Sequence, residues 1–104
     1  MHWYFCLAWF LGGAILSNSL PHLTNGISGR AFQSPFAKPP GRGLSSSTVN
    51  VLWGFFNLAI AWLLLVHAGD FSLRAYNSVL PCAAGFLLMS ALLGYGFGRF
   101  HGGR

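Results

Sequence analysis

The chain has 104 residues, of which 54% are hydrophobic and only 7% charged, where a soluble domain carries roughly a quarter. That leaves too little polar surface to cover a core in water, which excludes an ordinary soluble domain and fits an all-α integral membrane protein, one membrane domain over residues 1–104. The formal charge of +5 sets Arg30, Lys38, Arg42, Arg74, Arg99 and Arg104 against the single acid Asp70, and because these cations flank apolar runs, the basic balance orients a membrane protein rather than recruiting nucleic acid.

The first predicted span, WYFCLAWFLGGAILSNSL over residues 3–20, carries no charge and at 1.5 Å per residue reaches about 27 Å, enough to cross the hydrocarbon layer with little tilt. Pro21 is expected to stop it. No positive n-region precedes the run, so a cleaved signal peptide is not expected. Ala8 and Gly12, with Gly13 and Ser17 beside them, mark the face on which another helix can approach.

Residues 21–48 read as a long, ordered Gly/Pro-rich loop, with prolines at 21, 35, 39 and 40 and glycines at 26, 29, 41 and 43. A regular helix is not expected there, and Asn25-Gly26 and Pro40-Gly41 are turn dipeptides. Leu23, Ile27, Phe32, Phe36 and Leu44 are too apolar for a solvated linker, so the loop is expected at the interface or dipping into the bundle, within the limit that irregular backbone at membrane depth needs protein or water to satisfy it. Its groups capable of chemistry are His22, Asn25, Arg30, Gln33, Lys38 and Arg42. Arg30, Lys38 and Arg42, with His22 and Asn25, are the candidate anion site for a lipid head group. The plainer reading, in which these cations only set topology and touch head groups loosely, stands ahead of it.

The second span, residues 49–67, follows hydroxyls at 45–48 that suit a helix N-cap. Asn50, Gly54, Asn57 and Ala61 form one stripe along it, and Asn57, about halfway across, needs a hydrogen-bond partner on a neighbouring helix, a second copy or a ligand. The third span, residues 79–97, has Asn77 and Ser78 as cap candidates and Pro81 in its first turn, where a missing N–H does least harm. Its small face is Ala83, Ser90, Gly94 and Gly98, and residues 98–104 are expected as a tail. Asn50, Asn57 and Ser90 are thus the polar interface candidates, and Gly12, Gly54, Gly94 and Gly98 the small ones. Trp3, Tyr4, Trp53 and Tyr76 fall near span ends, as interfacial aromatics do.

Three spans put the N-terminus and the second loop on one side, and the first loop and C-terminus on the other. Five cations belong to the latter side, so it is expected to face the cytoplasm of a bacterial inner membrane, with the N-terminus periplasmic. Cys6 and Cys82 read as packing residues with no disulfide framework. His2, His22, His67 and His101 have no metal-ligand spacing, and no metal or cofactor is expected. The spans hold no acid for a proton relay, Ser45–Thr48 have no acid in their loop for a triad, and no phosphate-binding glycine motif occurs; no catalytic residue is assigned. The expected function is that of a non-enzymatic structural or accessory subunit, partnered by anionic lipid and by other membrane subunits or its own copies. A homo-oligomeric pore or anionic-lipid-binding, transporter-like protein is the alternative.

Overall fold

A computed structural model of the chain describes residues 2–103. The fold is all-helical, with three helices long and apolar enough to cross a membrane: α1 (Trp3–Ile27), α2 (Ser47–Val66) and α3 (Tyr76–His101). Between α1 and α2 the chain makes two short strands, β1 (Phe32–Gln33) and β2 (Leu44–Ser45), paired antiparallel with Phe32 opposite Ser45 and Gln33 opposite Leu44.

Each helix differs from its predicted bounds for a local reason. α1 runs through Pro21 for two further turns and absorbs Asn25-Gly26, expected as a turn, so the segment between helices is 28–46 rather than 21–48. A proline inside a helix deprives the carbonyl four residues back of its donor, and membrane helices tolerate this where side chains supply replacements. Around Pro21, Ser19 Oγ donates to Leu16 O at 2.6 Å, Thr24 Oγ1 to Leu20 O at 2.7 Å and Asn25 Nδ2 to Pro21 O at 2.7 Å, bonds to neighbouring carbonyls and not to Ser17 O, the one the proline leaves without its backbone donor. α2 begins as expected, Ser46 accepting from Val49 N at 3.2 Å as the N-cap.

α3 starts three residues early, at Tyr76, so Pro81 lies in its second turn instead of its first. Asn77 and Ser78 therefore do not cap it; Ser78 Oγ accepts from Ser72 N at 3.2 Å and tightens the turn that leads in. The helix continues through Gly98 and Arg99, taken as tail in the sequence, to His101, and ends on Gly102 in the left-handed conformation at φ 76°. Glycine adopts that conformation without a Cβ penalty.

α1 is the middle helix. α2 and α3 each pack along it and scarcely touch one another. Two consecutive glycines serve the two neighbours: a Cβ on Gly12 would meet the Leu64 and Leu65 side chains of α2, and one on Gly13 would collide with the Cys82 carbonyl of α3. Gly85 of α3 lies as tightly against the Phe10 carbonyl of α1, and Ser17 and Ser90 join their hydroxyls across the same interface at 2.7 Å. At the far end Trp9, 1% exposed, donates from Nε1 to Ala68 O at 2.7 Å and ties the α2–α3 connection to α1.

Candidate functional site

The polar side chains collect where α1, the start of α2, the strand pair and the end of α3 meet. α2 lies close to α1 there because Gly54 packs on the backbone of Ser19 and Leu23, and Gly26 on that of Ser47. Asn50, fully buried in the first turns of α2, is the node of the cluster. Its Nδ2 donates to Phe32 O at 3.1 Å, Ser45 O at 3.2 Å and Ser46 O at 3.1 Å, so one amide holds β1, β2 and the helix cap together. Two protons serve three acceptors, which requires sharing.

That orientation turns Asn50 Oδ1 to His22 Nδ1, 2.8 Å away. The oxygen can only accept, so Nδ1 carries the proton and Nε2 of a neutral ring keeps the lone pair. His22, 3% exposed, stands edge-on to Phe32 and Trp53. One turn toward the middle of the bundle, Asn18 Nδ2 donates to Asn57 Oδ1 at 3.0 Å, and Asn57 Nδ2 to Trp53 O at 2.8 Å. Asn57 therefore finds its partner on a neighbouring helix of the same chain. Beyond the strands, Ser34 and Ser45 pair their hydroxyls, while His101 Nε2 donates to Gln33 Oε1 at 3.1 Å and its ring stacks on Phe32.

Of these residues, Asn18, His22, Gln33, Ser34 and Trp53 border a cleft of about 380 Å³, with Phe97 of α3 along one side. Trp53 Nε1 is buried and, among the described residues, has no acceptor. The cleft thus offers hydrogen-bonding groups in an apolar frame. Its histidine is oriented by an amide rather than a carboxylate.

The candidate anion set is not gathered around it. His22 belongs to the cleft, but Arg30, Lys38 and Arg42 are exposed and line none of it. Asn25 is engaged locally: Arg30 Nε donates to Asn25 Oδ1 at 3.1 Å while the amide holds Pro21 O. Arg42 instead reaches the Phe100 ring, 5.7 Å from its centroid, where Arg99 also lies at 5.1 Å.

Of the interface candidates, Asn50, Gly54, Asn57 and Ala61 are the four buried residues of α2. Gly12 is buried and Ser90 joins α1, but Ala83 and Gly94 are exposed and Gly98 is half-buried; α3 buries Ser78 and Gly85 instead. Asn18 and Gly85 were not singled out in the sequence. Asn18 has a signal in hindsight, four residues before His22 and so on the same helical face. Comparison with protein-family models, curated proteins and solved structures finds no match to the chain.

Proposed function

We propose that the chain is a small, non-enzymatic integral membrane protein that acts as a structural or accessory subunit of a membrane assembly. It resides in a bacterial inner membrane, N-terminus in the periplasm, with residues 28–46 and the end of α3 at the cytoplasmic face, where the excess of cations belongs.

The observation that carries the reading is the exposed small face of α3. Ala83 and Gly94 are exposed, and a Cβ on Gly94 or Gly96 would find nothing within 4 Å. In lipid, helices associate through close backbone approach rather than hydrophobic drive, so an exposed glycine face is worth more as an interface than the leucines around it, which suit acyl chains.

The test is photo-crosslinking in native membranes from a reactive residue at Gly94, with Leu52, exposed on α2, as the lipid-facing control. A discrete protein adduct from position 94 and none from 52 is expected. Adducts with lipid alone at both positions would refute the subunit reading. The alternative, a pore formed by copies, draws less support: Asn50 and Asn57 are engaged by His22, Asn18 and backbone carbonyls inside one chain. Anionic-lipid binding retains a specific observation in its favour.

A further inference from the structure

That observation is the pair of arginines at the end of α3. Arg42 comes from the segment between the helices and Arg99 from the last turns of α3, so the fold brings together two cations far apart in sequence. Each sets its guanidinium carbon against the Phe100 ring, at 5.7 and 5.1 Å from the centroid. A phenyl face attracts a guanidinium only weakly at an exposed site, and two like charges on one ring repel each other. Among the described residues neither guanidinium hydrogen-bonds an acceptor, and the chain's one acid, Asp70, lies in the connection at the opposite end of the bundle. Among the described residues the pair therefore has no counter-charge beside it.

The surface around the pair has a direction. Arg42, Arg99 and Phe100 border a cleft of about 310 Å³ that continues down α3 past Gly96 to Leu92 and Leu93. Gly96 leaves its floor open, with nothing within 4 Å of where a Cβ would stand. From Arg99 to Leu92 is seven residues, about 10 Å along a helix, which carries the groove from head-group level into the hydrocarbon. Cations above and leucines below complement a molecule with a phosphate at one end and an acyl chain at the other.

We infer that Arg42 and Arg99 form a binding site for an anionic phospholipid, its phosphate bridging the two guanidinium groups and one acyl chain lying along Gly96, Leu93 and Leu92. Planar guanidinium forks suit phosphate oxygens better than ammonium groups do. Both guanidinium groups already lie within cation–π distance of the one Phe100 ring. The inference rests on the membrane placement proposed above, and not on any protein partner.

The test uses the full chain purified in detergent and titrated with phosphatidylglycerol or phosphatidylcholine, with bound lipid read by native mass spectrometry. The wild type should retain phosphatidylglycerol preferentially. Arg42→Gln/Arg99→Gln should lower that retention about tenfold or more, while Arg30→Gln, which removes the same kind of charge from a residue tied to Asn25, should leave it nearly unchanged. Arg42→Lys/Arg99→Lys keeps the charge and should fall between, and it serves as the fold-preserving variant should the double glutamine fail to fold. Equal losses with Arg30→Gln, equal retention of the two lipids, or displacement of the lipid by millimolar inorganic phosphate would each overturn the site. Flotation of the reconstituted wild type with liposomes checks the premise separately: a chain that does not float removes the membrane placement, whereas one that floats without lipid preference removes only the site.

Discussion

Asn50 cannot be seen from outside the molecule, yet three backbone carbonyls accept from its amide nitrogen and one histidine donates to its oxygen. Asn50→Leu removes that side-chain donor from Phe32 O and Ser45 O, while Ser46 O keeps the backbone N–H of residue 50 at 3.1 Å, and should destabilise the fold by about 1–3 kcal/mol, the cost of a buried polar group left unpaired, measurable as a lower midpoint of thermal unfolding in detergent. Asn50→Asp keeps the shape but turns an oxygen toward three others, so it should cost at least as much; a milder effect from Asp than from Leu would mean that Asn50 merely fills space. The stripe Asn50, Gly54, Asn57 and Ala61 was legible in the sequence because helical spacing alone places it on one face. The role of His22 was not. Pro21 read as a stop, which put His22 in a loop among cations, whereas α1 runs on through the proline to Ile27.

At the scale of the helices, α1 was legible in its packing face and α3 in its span but not in its rotation. α3 carries small residues on two faces, Ala83 and Gly94 exposed on one and Ser78 and Gly85 buried on another, with Ser90 of the predicted stripe bonded to Ser17 of α1. Which of them meets α1 is set by Gly13 and the Phe10 carbonyl on the partner, information that no reading of α3 alone contains. Gly85→Ala places a methyl on the Phe10 carbonyl and Gly13→Ala one on the Cys82 carbonyl, so each should push α3 from α1 and cost about 1–3 kcal/mol, as overpacking does. Gly94→Ala meets nothing within the chain and should leave unfolding in detergent unchanged. Equal destabilisation by Gly94→Ala and Gly85→Ala would show that α3 is rotated from the position described.

For the molecule as a whole, composition and the positions of the cations were enough to read three helices of spanning length. The contacts between distant segments were not readable, because the short strand pair and the Arg42–Phe100–Arg99 grouping join residues with no shared periodicity. Orientation is tested at Lys38, which is exposed, rather than at Ser34, which is 2% exposed and closed off by its bond to Ser45. A Lys38→Cys chain should react with a membrane-impermeant maleimide only after the cytoplasmic face is opened; labelling of intact spheroplasts would reverse the proposed topology.

The adjacent glycines Gly12 and Gly13 make α1 the common neighbour of two helices that hardly meet. A ribosome delivers the N-terminal part of a chain first, so the hub is in place before either spoke. Asn18 and His22 take their partners Asn57 and Asn50 from α2, the next helix to be made, whereas neither bond draws on α3. The helix that both others need is thus the first to leave the ribosome.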